Sequence, residues 1–431
     1  MPESDSQLFF LQGLSMFDLD TEKKRFEEKC TACGLCVAVC PIVPMTDIQD
    51  EDPVEVMESV LEIYRHGSMN DMARTRIYSC MGCLTCRAHC PEELDPSLGL
   101  CLAASILIER GEPVPRALSF LLPDTAFNFM KAVEALQITP EERPWVTDVS
   151  KQETAPSKTV LFVGCTGIMQ PDLVLTTLEI IRRLDPTVKA LGGVDYCCGD
   201  TTLRAGKTQS ARDHFIRLLE GLNAFSPEEV VFLCPTCKMH FDLVAPKTTW
   251  SWHFVTNFLA DHVKELGFLA EVKATVTIHD ACHLVRGEEP EFESPRKLLK
   301  SIPGIEIIEM ENSRDKATCC GATAMAALGR PGVTFRAKRL KQAEDSGAEI
   351  MSVYCPACQS IFATEGPNLP FKIESVITLL GRSLGIVHED KLLRYLSYHD
   401  DQRVLSEAAR CIHASELTEQ KLKEFCSKYF K

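Results

Sequence analysis

Twenty-one of the 431 residues are cysteine, and their spacing limits what they can do. Cys30-Thr-Ala-Cys33-Gly-Leu-Cys36-Val-Ala-Val-Cys40-Pro41 follows the pattern C-x2-C-x2-C-x3-C-P, and Cys80-Met-Gly-Cys83-Leu-Thr-Cys86-Arg-Ala-His-Cys90-Pro91 repeats it. Three thiolates at that step can reach three irons of one [4Fe-4S] cubane, while the fourth, carried off by the turn before proline, ligates the other cluster in two-cluster proteins. The motif thus assigns Cys30, Cys33, Cys36 and Cys90 to one cubane, and Cys80, Cys83, Cys86 and Cys40 to a second. Zinc would account for a pair of C-x2-C steps. It would not call for a third cysteine at the same step followed by Cys-Pro.

A different grammar governs the rest of the chain. Cys165, Cys197-Cys198-Gly199 and Cys234-Pro235-Thr236-Cys237 are followed by Cys282, Cys319-Cys320-Gly321 and Cys355-Pro356-Ala357-Cys358. Adjacent cysteines bridge each other only with strain, but both can aim thiolates into one metal site if the chain turns beneath them, which Gly199 and Gly321 permit. A cubane takes four cysteines, so five per half leave either a spare thiol or a cluster of unusual nuclearity.

These motifs resemble the cysteine-rich (CCG) domain of the heterodisulfide reductase family, which also includes the iron–sulfur subunits of anaerobic glycerol-3-phosphate dehydrogenase, glycolate oxidase and bacterial lactate-utilisation complexes. The N-terminal part is similar to that family's electron-transfer subunit, and residues 159–371 to its catalytic subunit, as in the fused form of the enzyme. The approach to the second motif, His279-Asp280-Ala281-Cys282-His283-Leu284, follows the family pattern with Ala281 where proline is usual. The resemblance implies that Cys165, Cys197, Cys198, Cys234 and Cys237 hold one non-cubane [4Fe-4S] cluster, and that Cys282, Cys319, Cys320, Cys355 and Cys358 hold another. It implies a heterodisulfide reductase-like oxidoreductase subunit working with flavoprotein or other redox subunits on a disulfide substrate. His279 and His283, flanking Cys282, are candidate catalytic proton donors, because disulfide reduction consumes protons as well as electrons.

The elements that must position these thiols follow from hydrophobic pattern. Val56, Met57, Val60, Leu61 and Tyr64 recur at helical spacing between the two N-terminal motifs, and residues 102–110 and 118–136 also read as helices. In the second part, Thr159–Val163 and Ala274–Ile278 are β-branched runs that lead to Cys165 and Cys282. Val230–Leu233 and Ile350–Tyr354 run into the two Cys-Pro-x-Cys motifs, each after an amphipathic helix, residues 210–224 and 333–346. Equivalent cysteines lie 117, 122 and 121 residues apart. One α/β unit is used twice, and in open α/β sheets chemistry gathers beyond the carboxyl ends of the strands. The expected architecture is multi-domain, with an α-helical ferredoxin-like N-terminal domain and a duplicated α/β CCG domain. Its expected units are residues 1–146, 159–272, 273–389 and a helical tail over 390–431, with the polar stretch 147–158 as linker. His240, His253, Trp250 and Trp252 are expected in the core or an interface, and Cys101, Cys411 and Cys426 as small buried hydrophobes.

Bulk composition narrows the function. A formal charge of −15, from 46 Lys and Arg against 61 Asp and Glu, would repel a phosphate backbone, so nucleic acid is excluded as a partner. No apolar run approaches the roughly 20 residues needed to cross a bilayer. The acidic N-terminus argues against export, so the expected location is cytoplasmic, or at the inner membrane face through a partner. Gly164 and Gly192-Gly193 form no G-x-G-x-x-G fingerprint, which leaves NAD or FAD to another subunit. Two functions remain: a disulfide-reducing enzyme subunit, or an electron-relay subunit for a flavin-dependent lactate- or glycolate-type dehydrogenase or a larger complex such as an anaerobic acyl-CoA reductase. The full set of ten CCG cysteines favours the first.

Overall fold

The computed structural model describes residues 18–115, 122–125, 127–151, 154–267, 269–287, 289–322, 330–366 and 369–430. The N-terminal part is helical. Helix Pro53–His66 begins with Asp52 capping the amides of Val54 and Glu55, carries proline in its first turn, and ends at Gly67 in the left-handed conformation. It buries Val56, Met57, Val60 and Leu61 against helix Pro96–Glu109, which Asp95 caps in the same way. The cysteine motifs follow helices Leu19–Lys29 and Asp71–Tyr78, which lead into Cys30 and Cys80. Loops can present several thiols to one point only when rigid elements hold both ends.

One expected helix is corrected. Within 118–136, residues 118–121 and 126 lie outside the described residues, and the helix among the described ones is Phe129–Gln137. Pro123 lacks an amide hydrogen and biases the residue before it away from helix, so the chain turns here. Asn128 then caps a new start by accepting from the Lys131 amide at 2.8 Å.

Two four-stranded parallel sheets follow. The first comprises β1 (Thr159–Val163), β2 (Lys189–Gly192), β3 (Glu229–Phe232) and β4 (Ser251–Phe254), in the order β2-β1-β3-β4. The second comprises β5 (Ala274–His279), β6 (Ile305–Ile307), β7 (Ile350–Val353) and β8 (Lys372–Ser375), in the order β6-β5-β7-β8. The duplication read from the cysteines is therefore a duplication of topology. The β1 sequence Thr-Val-Leu-Phe-Val is buried at every position, as a central parallel strand covered on both faces must be.

The two units pack reciprocally. The first helix of the first repeat, Pro171–Arg182, packs on the last helix of the second, Val376–Ser383, while Val255–His262 packs on Glu293–Ser301. Arg183 fastens this interface by donating to the Leu266 and Leu384 carbonyls at 3.2 and 2.8 Å. Trp250 and His240 are buried, but His253 is exposed, because alternate residues of the edge strand β4 face solvent. Cys101, Cys411 and Cys426 are buried within helix packing. The C-terminal helices, from Lys391 to Tyr429, pack through Leu392, Tyr395, Leu422 and Phe425 on helix Phe129–Gln137 and Met169.

Candidate metal centres

The cysteine thiols converge on separate points. Cys30, Cys33, Cys36 and Cys90 line one small cavity under Phe26 and Met57. Cys40, Cys80, Cys83 and Cys86 line a second, beside Arg76 and Met81. Each cavity thus draws three cysteines from one motif and the fourth from the other. Cys33 is exposed, whereas Cys83 and Cys86 are buried, so the first group reaches the surface and the second lies inside. Between them is Arg76, 1% exposed, donating to Cys40 Sγ at 3.6 Å and to the Cys36 carbonyl at 3.2 Å. Burial opposes its charge, yet the Cys40 and Cys80 thiols hold its pKa above the ordinary arginine value. A buried cation lodged between two thiol groups suits sites that carry negative charge.

In the first repeat Cys165 stands just past β1, Cys197 and Cys198 follow β2, and Cys234 caps helix Pro235–Val244, whose first turn contains Cys237. Gly199, at φ +94°, makes the turn under the paired cysteines, and a Cβ there would lie 2.7 Å from the Ala211 carbonyl oxygen. Gly321 repeats this at φ +81°, where a Cβ would lie 2.8 Å from the Gly332 carbonyl oxygen. Hydrogen bonds among the thiols shift their pKa values apart. Those from Cys165 and Cys198 hold Cys197 well below the ordinary thiol value, and that from Cys237 brings Cys234 down to about 6. In the second repeat, bonds from Cys319 and Cys358 bring Cys320 down to about 6.

This donor chemistry fits iron–sulfur clusters. Thiolate is the ligating form, all the described cysteines are free, and backbone amides already point at sulfur. The amide of Gly82 donates to Cys80 Sγ at 3.4 Å, that of Gly199 to Cys197 Sγ at 3.5 Å, and that of Gly321 to Cys319 Sγ at 3.3 Å. Amide-to-sulfur bonds of this kind tune cluster potentials.

The loop Cys80–Cys83 is where the two halves of the chain meet. His283 donates from Nε2 to the Gly82 carbonyl at 2.8 Å, while its Nδ1 accepts from the Thr236 hydroxyl at 2.7 Å, inside the first repeat's Cys-Pro-Thr-Cys turn. Arg204 packs directly on Gly82, where a Cβ would lie 2.0 Å from its guanidinium nitrogen. Arg286, from the second repeat, donates to the Cys83 carbonyl at 3.3 Å. Burial pushes the Cys83 thiol up, and the charge of Cys282 across this junction adds to the effect.

The structure separates the two candidate histidines. His283 borders a cavity of about 760 Å³ that also exposes all five cysteines of the first repeat. Burial, then the Arg204 charge, lowers its pKa to about 4, and both ring nitrogens are engaged, so it is a neutral strut rather than a free proton donor. His279 is 1% exposed, lies outside that cavity, and has a ring nitrogen within 4.8 Å of the Cys320 and Cys358 sulfurs. Arg339 Nε donates to His279 Nδ1 at 2.9 Å. Arginine cannot accept, so Nδ1 is the bare nitrogen and Nε2 carries the hydrogen of the neutral ring. Burial and the Arg339 charge keep that ring neutral, its pKa well below the ordinary value. No sequence signal marks Arg76, Arg204, Arg286 or Arg339 as neighbours of the cysteine sites, since each reaches its partner across the fold.

Comparison with known proteins agrees with this geometry. The family described as Cysteine-rich domain (CCG) matches residues 159–242 and again 276–363, and that described as 4Fe-4S dicluster domain matches residues 27–94. A dihydromethanophenazine:CoB--CoM heterodisulfide reductase subunit of Methanosarcina barkeri is 30% identical over 242 residues, 53% of this chain and 59% of that protein. The chain joins a 4Fe-4S dicluster domain to two cysteine-rich (CCG) domains and resembles heterodisulfide reductase subunits. The Methanosarcina mazei protein of the same name aligns at 25% identity over 83% of this chain and 94% of its own length. A protein named EtfAB:quinone oxidoreductase from Syntrophomonas wolfei aligns at 22% over 67% of this chain and 43% of its own. This heterodisulfide reductase-like chain is thus an iron–sulfur protein, and it spans 59% of its M. barkeri relative, which is named as a subunit. A solved structure, the Picrophilus torridus aspartate racemase, matches 56% of this chain and 98% of its own at 11% identity with a TM-score of 0.28, too low to indicate a common fold. No helix among the described residues is long and apolar enough to cross a membrane.

Proposed function

We propose that this chain carries electrons from the surface inward through two cubane clusters and delivers them to two non-cubane clusters, where a disulfide is reduced at the first CCG repeat. The cubanes would be held by Cys30, Cys33, Cys36 and Cys90, and by Cys40, Cys80, Cys83 and Cys86. The non-cubane clusters would be held by the five cysteines of each repeat. When bound, such clusters supply the one-electron steps that protein side chains cannot.

The observation that carries this reading is the junction at Cys80–Cys83. The inner thiol loop meets the first repeat through Arg204 and the second through Arg286, and His283 of the second repeat bridges Gly82 to Thr236 of the first. Exposed Cys33 marks the outer group as the place where a partner flavoprotein or other redox subunit would donate. The buried cation of Arg76 favours the extra negative charge of reduced sites on either side of it. The first repeat offers all five of its cysteines to a large cavity, which favours that repeat as the reacting one. Protons would arrive from solvent through that cavity, since both candidate histidines are neutral and hydrogen-bonded within the fold.

The test is an anaerobic assay of the iron-loaded chain, with reduced viologen as electron source and a panel of disulfides as acceptors. Viologen oxidation in step with thiol release is expected. A loaded chain that accepts viologen electrons but leaves every disulfide intact would favour the electron-relay role instead.

A further inference from the structure

The outer group of thiols opens onto a surface of distinct chemistry. Cys33 is exposed there, and Leu35 and Val54 beside it are 44% and 46% exposed. The two apolar side chains belong to one patch, because Gly34 packs on the backbone of Pro53 and Val54, where a Cβ would lie 2.8 Å from the Pro53 carbonyl carbon. Gly34 holds φ at +74° in this approach, so the cysteine loop and the start of helix Pro53–His66 lie side by side.

Carboxylates ring the patch. Residues 47–58 carry Asp47, Asp50, Glu51, Asp52, Glu55 and Glu58, all exposed, and no lysine or arginine. Of these, Glu58 pairs with Arg65 at 3.1 Å. On the other side of the thiols, exposed Glu92 borders the same small cavity as Cys33 and Leu35. Lys29, at the end of helix Leu19–Lys29, is the basic residue nearest this loop in the sequence. An apolar centre within a charged rim suits an electron-transfer contact: the centre brings two redox groups close, and the rim steers the encounter. A second copy of this chain, or an anionic lipid surface, would set acid against acid.

Resting on the reading of the outer group as the port where electrons enter, we infer that Leu35, Val54 and the surrounding carboxylates form the docking surface for a redox protein that presents lysines and arginines around an exposed cofactor edge. One electron crosses the contact. It oxidises the partner's cofactor and reduces the outer cluster, with no bond made or broken.

The experiment runs the contact in reverse. The iron-loaded full chain, reduced with dithionite and freed of it anaerobically, is mixed by stopped flow with a lysine-rich ferricytochrome c or with acidic ferric cytochrome b5. One electron leaves the chain and turns ferric haem ferrous. The second-order rate constant for cytochrome c should fall about tenfold or more as salt rises from about 0.02 to 0.5 M, whereas that for cytochrome b5 should rise. Glu51→Lys/Glu55→Lys should cut the low-salt rate for cytochrome c about tenfold, and Glu51→Gln/Glu55→Gln about threefold. Glu265→Lys/Glu306→Lys makes the same change of charge at exposed positions on the CCG repeats and should cost less than about twofold. Val54→Asn should slow transfer about threefold at every salt concentration, since it removes apolar contact rather than charge. Equal losses from the near and distant charge reversals would overturn the inference while leaving the outer group as a port, and so would a rate indifferent to all of them. A chain dimeric in sedimentation and made monomeric by Val54→Asn would assign the patch to a second copy and overturn it too. Reduced clusters, seen by electron paramagnetic resonance, that pass no electron to either cytochrome at any salt would overturn the port itself.

Discussion

The two CCG repeats share topology, cysteine pattern and glycine turns, yet they are built differently behind the metal ligands. Three residues before its first cysteine the first repeat has Phe162, and the second has His279. One residue later they have Val163 and Asp280. At these two positions the first site is backed by hydrocarbon, while the second is backed by a buried polar frame. Asp280, 0% exposed, accepts from Arg296 at 2.8 and 3.0 Å, from the Arg314 amide at 2.6 Å and from the Tyr354 hydroxyl at 3.2 Å. Arg296 in turn holds Glu309 at 2.7 and 2.8 Å. Identical ligands in a duplicated fold do not make identical sites. A rigid, closed site suits holding an electron, and an open one suits exchanging electrons with a substrate.

Stability should separate the repeats most strongly. Asp280→Ala leaves Arg296 without its main buried partner and should cost about 3–5 kcal/mol, whereas Val163→Ala at the equivalent position, losing two buried methyl groups, should cost roughly 2 kcal/mol. Denaturant unfolding of the two variants measures this directly, and equal losses would remove the distinction. Ligand removal comes next. If the first site meets substrate and the second stores electrons, as proposed, Cys237→Ser should reduce disulfide turnover by about 100-fold or more and Cys358→Ser only about tenfold. Steady-state kinetics on chains of matched iron content would expose a reversed order.

The contact between the first repeat and the C-terminal helices adds a pH dependence. Burial and the neighbouring Asp390 charge push the Asp172 carboxyl up to about 8, so the folded chain keeps a proton that the unfolded chain releases near 4. Stability should accordingly be unaffected by this group below pH 4 and fall as pH rises from about 4 to 8. Asp172→Asn should remove that slope and stabilise the chain above pH 8 by at least about 1.4 kcal/mol, the worth of one unit of pKa displacement. Thermal midpoints at pH 6 and pH 9 compare the two. The smallest effect is a shift in potential at the second site. His279→Phe removes an N–H that would lie near any cluster held by the second repeat's cysteines. If that N–H donates one hydrogen bond to the cluster, worth about 1 kcal/mol or roughly 40 mV for one electron, the variant should lower the cluster's potential by that amount without altering iron content. A redox titration followed by electron paramagnetic resonance reads it.

Much of this molecule was legible in its sequence because thiol ligation imposes fixed spacings and a parallel strand buried on both faces imposes a continuous apolar run. Thr159–Val163 and Val230–Leu233 announced their strands in this way, and the repeat distance between cysteines announced the duplicated sheet. The helix expected over 118–136 failed because its apolar count outweighed Pro123 and the capping signal at Asn128. The cavity was invisible for a different reason. Its wall joins Met130, Met169 and Phe425, which have no relation in sequence and meet only when the C-terminal helices fold back on the first repeat. The same holds for His283, whose hydrogen bond to Gly82, 201 residues away, could not be read from its position beside Cys282.

The most direct test follows the reduced, iron-loaded chain by freeze-quench electron paramagnetic resonance as it meets a disulfide. A signal perturbed by the disulfide in the wild type and in Cys358→Ser, but missing in Cys237→Ser, is the predicted result. A perturbed signal that survives Cys237→Ser and vanishes in Cys358→Ser would place the reacting site in the second repeat and contradict the account.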